Sequence, residues 1–125
     1  MDMNQFTQKT VSALQRAQSL AIEYQHMQVE QEHVLLALTE EEGELIPQLL
    51  TRCGLSVPAL VSGLQENLNR IARVSGSGRE PGKVYIAGDV EQALLEAEKI
   101  AKRMKDEYLS VEHVWMGLVA RASSN

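Results

Sequence analysis

The chain repeats itself. Adding 80 to a position carries Glu32-His33-Val34 onto Glu112-His113-Val114, and the same ungapped shift takes Ala13-Leu14 to Ala93-Leu94. It also takes Ala17 to Ala97, Ala21 to Ala101 and Leu38 to Leu118. Self-similarity at a fixed period means one supersecondary unit used twice, because a single unit of this size cannot bury its apolar face alone. A site at the junction of the copies is therefore assembled from two related surfaces.

Helical spacing sets the content of each copy. Thr7 is placed to cap a first helix by accepting from the backbone N–H of Lys9 or Thr10. Phe6 and Val11 occupy the two positions of a hydrophobic staple, and Val11, Leu14, Ala17 and Ala21 continue the stripe to about Tyr24. After the polar break at Gln25-His26, a short helix over 31–40 is apolar around most of its circumference and is expected at the centre of the fold. A third helix is expected from Glu44 to Cys53, closed by Gly54 in a left-handed turn with Leu55 making the accompanying apolar contact. Ser56 caps a fourth, whose face is Leu60, Val61, Leu64, Leu68 and Ile71.

The stretch from Arg73 to Lys83 is rich in Gly and Ser and reads as a connector. Val84-Tyr85-Ile86 leads into a fifth helix over 89–105, with Val90, Ala93, Leu94, Ala97, Ile100, Ala101 and Met104 on one face. Ser110 caps a sixth helix over 111–121. The fold expected is all-α, with two pseudo-two-fold-related helical repeats (repeat one 1–73, connector 74–83, repeat two 84–125). The second repeat is truncated, because nothing after Leu118 matches the third and fourth helices. An apolar face around Trp115 and Met116 is then expected to lie bare and to self-associate.

Composition narrows the function. A chain of 125 residues is one domain's worth. Aromatics make up only 4%, so the core must be aliphatic. The net charge of −5 argues against nucleic acid, which demands clustered Lys and Arg, and against an anionic membrane surface. Cys53 is the sole cysteine, so no internal disulfide forms and a reducing, cytoplasmic setting is expected. No apolar run approaches the roughly 20 residues that span a bilayer, and the polar N-terminus has no signal-peptide core.

No catalytic motif stands out. The paired Glu-His dipeptides admit two readings. Two acids and two imidazoles brought together could hold a metal, but neither copy has the one-turn ligand spacing of a zinc helix. Otherwise each glutamate favours the dipole at a helix start and each histidine packs or hydrogen-bonds. Asp106 reads as a loop acid, Glu40-Glu41-Glu42 as a solvated helix end, and Cys53 as a buried inert thiol. There is no G-x-x-x-x-G-K-[ST] loop and no Ser/His/Asp set. The residues alone reach an acidic, helical, two-repeat binding module.

Phe6-Thr7-Gln8-Lys9, Ala17-Gln18-Ser19-Leu20-Ala21, Glu32-His33-Val34-Leu35-Leu36-Ala37-Leu38 and Cys53-Gly54-Leu55 resemble the N-terminal Clp repeat domain of the Clp-family AAA+ unfoldases. Val74-Ser75-Gly76, Val84-Tyr85-Ile86 and the run from Asp106 to Val114 are most similar to the ClpB disaggregase branch. The resemblance implies a mobile domain without cofactor or catalytic site of its own, attached to a hexameric motor that uses ATP and Mg. It implies capture of unfolded or aggregated polypeptide in an inter-repeat groove, with help to the motor from the DnaK system or a protein adaptor. Substrate-handling positions of ClpB match Thr7, Asp106 and Glu112. Glutamates that bind phosphoarginine in ClpC match Glu32 and Glu112, which makes adaptor docking or phosphoarginine reading, as in ClpC or ClpA, the alternative. Two positions depart from the pattern: Ala87 stands where repeat two would duplicate Thr7, and Glu30-Gln31 replaces the Gly-Thr typical of ClpC.

Overall fold

A computed structural model describes residues 3–40, 45–73 and 85–123. After a short 3₁₀ turn at Met3–Gln5, the elements are α1 (Gln8–Glu23), β1 (Gln28–Val29), α2 (Gln31–Glu40), α3 (Leu45–Arg52), α4 (Val57–Arg70), β2 (Tyr85–Ile86), α5 (Gly88–Arg103) and α6 (Val111–Ser123). The chain is helical, and α1–α2 of the first repeat corresponds to α5–α6 of the second. The connector and Glu41 to Glu44 lie outside the described residues.

Within each repeat two helices pack face to face through small residues. Ala13 and Ala17 of α1 are buried, as is Ala37 of α2, and Ala93 and Ala97 of α5 are buried in the same way. Gly117 of α6 is the counterpart of Ala37. A Cβ at Gly117 would press into the Ala93 carbonyl oxygen and come within 3.0 Å of the Ala97 backbone nitrogen. The second crossing is thus set by backbone, where the first still admits a methyl group. Every residue of α2 from His33 to Thr39 except Leu35 is buried, and α2 packs on α1, α3, α4 and α6. It is the central helix its composition implies.

The first helix of each repeat ends the same way. Gln25 and Lys105, at φ 59° and 62°, take the left-handed conformation. The N–H of the following residue then returns to the helix, His26 to the Ala21 carbonyl at 2.8 Å and Asp106 to the Ala101 carbonyl at 3.0 Å. This is a Schellman turn made without glycine, at a cost of about 1–2 kcal/mol each. Gly54 (φ 81°) closes α3 by the same device, and Leu55 N–H reaches the Leu50 carbonyl at 2.9 Å.

Three expectations fail at such helix ends. Leu55 is 56% exposed instead of making the apolar contact, and Met104, the last residue of the α5 stripe, is 53% exposed. Cys53 is exposed, not buried, because α3 stops at Arg52 and the turn carries the thiol off the apolar face. Glu40 is not simply solvated: Arg16 joins it at 2.8 Å and Glu23 at 2.9 Å, a surface clamp worth at most about 1 kcal/mol. Trp115 is half-buried against the core and α3 packs on α6, so that face is not bare, although Val119 stays exposed.

The repeats are joined by backbone pairing that the sequence pattern did not reveal. β1 and β2 pair in parallel, Gln28 with Tyr85 and Val29 with Ile86, and Phe6 pairs with Leu109 in a parallel bridge. The two contacts are related by the repeat, since 6 and 109 map onto 86 and 29. Thr7 N–H donates to the Leu109 carbonyl at 3.0 Å, and Ala87 N–H donates to the Val29 carbonyl at 3.0 Å. Each repeat thus inserts the residues before its first helix beside the loop of the other. Among the described residues no helix is long and apolar enough to cross a membrane.

Gly117→Ala should destabilise the domain by about 1–3 kcal/mol through overpacking against α5, read as a lower urea midpoint at unchanged slope. A midpoint equal to that of the parent chain would show that the crossing has slack.

Candidate functional site

The loop between paired helices is held by a histidine in each repeat. His33 and His113 are the third residues of α2 and α6, and both are buried. His33 Nδ1 accepts the Glu30 backbone N–H at 2.8 Å, and His113 Nδ1 accepts that of Ser110 at 2.9 Å. A glutamate or glutamine does this in an ordinary capping box. The Ser110 hydroxyl also approaches His113 Nδ1, at 3.0 Å.

With Nδ1 accepting, Nε2 carries the proton and donates backwards. His33 reaches His26 Nδ1 at 2.9 Å, and His113 reaches Asp106 Oδ2 at 2.8 Å. His26 and Asp106 are repeat equivalents, each the residue after a left-handed turn. One imidazole therefore ties the end of the first helix to the start of the second, with His26 stacked on Tyr24 at 5.5 Å in repeat one. Both ring nitrogens of His33 and of His113 are committed to protein groups. Among the described residues no group of three or more His, Cys, Asp or Glu side chains is placed to hold a metal ion.

Three of the four sequence-derived site residues, Thr7, Asp106 and Glu112, lie on the chain segments that flank the Phe6–Leu109 junction. Thr7 caps α1, accepting the Thr10 N–H at 3.2 Å. Its hydroxyl lies 2.8 Å from that of Thr10, which donates onward to the Leu109 carbonyl at 3.0 Å. Asp106 stands across the same loop with 44% of its side chain exposed. Glu112 follows in the first turn of α6, next to His113. Glu32 is not with them: it takes the related place in the first turn of α2, at the Val29–Ile86 junction. Asp106, Phe6 and Leu109 border a crevice of only about 20 Å³, room for about one water and too little for a ligand side chain.

A larger concavity lies between α1 and α5. It has a volume of about 670 Å³ and is walled by Phe6, Val11, Leu14, Gln15 and Gln18 on one side and Tyr85, Ile86, Val90, Glu91, Leu94 and Leu95 on the other, with Val29 between. It straddles the repeat axis, because Phe6, Val11, Leu14 and Gln15 map onto Ile86, Glu91, Leu94 and Leu95. Tyr85 is 69% exposed, Ile86 49% and Leu95 40%, so its lining is apolar surface left in water. None of Thr7, Asp106, Glu112 or Glu32 lines it; the polar groups at its rim are Gln15, Gln18, Tyr85 and Glu91. Sequence reasoning assigned Val11, Leu14 and Leu94 to helix packing. The signal that could have marked the groove was Tyr85-Ile86, a large apolar pair outside any helix.

His33 gives the domain a calculable pH response. Burial, and then the neighbouring His26, hold it well below the ordinary imidazole range, at about 4. A proton on Nδ1 would also face the Glu30 N–H donor. As pH falls below about 6.5 the unfolded chain binds this proton while the folded chain refuses it, so stability drains away until pH reaches about 4. The loss across that window should be on the order of 3 kcal/mol. His33→Gln keeps the reach to Glu30 but removes the titration. Its unfolding free energy should therefore change less between pH 6.5 and 4 than that of the parent chain. Parallel urea-denaturation profiles for the two would refute the assignment.

Comparison with known proteins agrees with this architecture. Residues 5–125 match the family model of the Clp repeat (R) N-terminal domain. The chain is 40% identical over 114 residues to the chaperone protein ClpB of Bacillus anthracis, covering 91% of this chain and 13% of that protein. It is 36% identical over 124 residues to ClpB of Nitratidesulfovibrio vulgaris, covering 99% and 14%. It thus spans about one seventh of the length of these curated relatives. The Hsp104 N-terminal domain from Candida albicans superposes with a TM-score of 0.81 at 21% identity, over 94% of this chain and 75% of that one. A ClpV N-domain in complex with a VipB peptide does so with 0.79 at 21% identity, over 96% and 71%. Two helical repeats locked by reciprocal pairing, and a sequence that matches along nearly its whole length, make this chain a member of the Clp repeat N-terminal domain family.

Proposed function

We propose that this domain captures unfolded or aggregated polypeptide for a ClpB-type, ATP-driven disaggregase, seating apolar segments in the groove between α1 and α5. The observation that carries the reading is the groove itself: about 670 Å³ of concave, mainly apolar surface with aliphatic and aromatic side chains exposed along it. Tyr85, Ile86 and Leu95 are exposed within one concavity, and exposed apolar side chains gathered in this way mark a surface that a partner can cover. Thr7, Asp106 and Glu112 would supply polar contacts at the neighbouring junction, and Glu32 at the related one. The domain works by binding, and ATP and Mg belong to the motor.

Affinity for a single segment is expected to be weak, because a disordered ligand loses conformational entropy on binding. Six such domains on one hexamer would offset this through effective concentration. The partners of this reading are exposed client segments, the hexamer's own motor modules, and the DnaK system or a protein adaptor, all in the cytoplasm. The peptide held by a ClpV N-domain supports the idea that this fold can bind a peptide. It also keeps adaptor docking as the second reading. A preference for phosphoarginine over arginine, lost on changing Glu32 or Glu112, would favour a modified-residue reader instead.

Titrating an unfolded apolar peptide into labelled domain should shift amide resonances along α1, β2 and α5. Leu95→Asp, at a position exposed enough to leave the fold intact, should weaken binding about tenfold, the equivalent of about 1.4 kcal/mol. Shifts confined to the Glu40 end of α2, or spread evenly over the surface, would remove the proposal.

A further inference from the structure

The two walls of the groove are related by the repeat, and one of the asymmetries between them is a charge. Under the shift that relates the repeats, Phe6 pairs with Ile86 and Leu14 with Leu94, apolar with apolar. Val11, however, pairs with Glu91. Among the described residues lining the groove Glu91 is the only acid, and no lysine or arginine is among them. It lies in the first turn of α5, is exposed, and among the described residues has no ion pair or side-chain hydrogen bond. Its carboxylate stands beside apolar wall, where the local dielectric is lower than in water and a counter-charge is felt more strongly.

Resting on the groove as the client site, we infer that Glu91 is its specificity-determining residue and selects apolar segments that carry a lysine or arginine. Without it the described lining carries only neutral side chains and would not distinguish peptides by charge. With it, a segment that places a cation against α5 while its apolar side chains cover Leu94 and Leu95 gains an ion pair. A segment with an acid at that point meets repulsion. The gain is bounded by the exposure of the pair, so selectivity of a few-fold is expected.

Three otherwise identical unfolded peptides, apolar with a single Lys, Gln or Glu at the centre, test this by fluorescence-anisotropy titration. The parent domain should bind the Lys peptide about 2- to 5-fold more tightly than the Gln peptide, and the Glu peptide more weakly still. Glu91→Gln should level the three, and Glu91→Lys should reverse their order. Glu66→Gln, which makes the same change in net charge on α4 away from the groove, should leave the order intact. A ranking that survives Glu91→Gln, or that Glu66→Gln abolishes equally, overturns the assignment. If Leu95→Asp weakens all three peptides while the ranking ignores Glu91, the groove stands and the selectivity falls. If Leu95→Asp has no effect, or no peptide binds, the groove reading fails and this one with it.

Discussion

Each half of the chain completes the loop of the other with backbone hydrogen bonds. The residues just before α1 lie beside Leu109, and those just before α5 lie beside Val29, with the same donor-to-acceptor sense and the same 3.0 Å separation. These paired N–H and C=O groups would otherwise face solvent at the start of a helix, so the contact satisfies them while fixing how the repeats sit. The groove between α1 and α5 follows directly. Because α1 follows the Phe6–Leu109 contact and α5 follows the Val29–Ile86 contact, residues of both helices form the two walls of the groove, with Phe6 and its counterpart Ile86 in its lining.

That junction depends on where the loops are held, and the loops depend on the two buried histidines. An imidazole suits the task because it accepts on one side and donates on the other while remaining neutral. It therefore bridges the turn after one helix and the start of the next without burying a charge. The repeats differ in what receives the Nε2 proton, a second imidazole at His26 or a carboxylate at Asp106. The lowered titration of His33 makes the loop that carries β1, and so the Val29 floor of the groove, sensitive to acid.

Much of this was legible in the residues. The shift of 80 announced the duplication, Thr7 and Ser56 announced their helices, and the apolar wrap of 34–38 announced the central helix. The bland reading of Glu-His, a first-turn acid beside a packing histidine, describes what those residues do. The rest was hidden for physical reasons. Pairing of β1 with β2 joins residues 57 apart in the chain through two-residue strands, too short to leave an alternating pattern. The left-handed turns fall on Gln25 and Lys105 instead of glycine, so no residue type marks them. Cys53, Leu55 and Met104 satisfy helical spacing but sit where their helices end, and there periodicity no longer predicts burial. The groove was hardest to foresee, because Val11, Leu14 and Leu94 serve the core and the groove wall together.

The functional account stands on client chain lying between α1 and α5. Methyl NOE measurements between a methyl-labelled domain and an unlabelled unfolded client test this most directly, since the exposed leucines elsewhere provide an internal control. Cross-peaks from client protons to the methyl groups of Leu14, Leu94 and Leu95, and none to Leu49 or Leu55, are the result the account predicts. Cross-peaks to Leu49 and Leu55 alone would place the client on the α3 side of the molecule and contradict it.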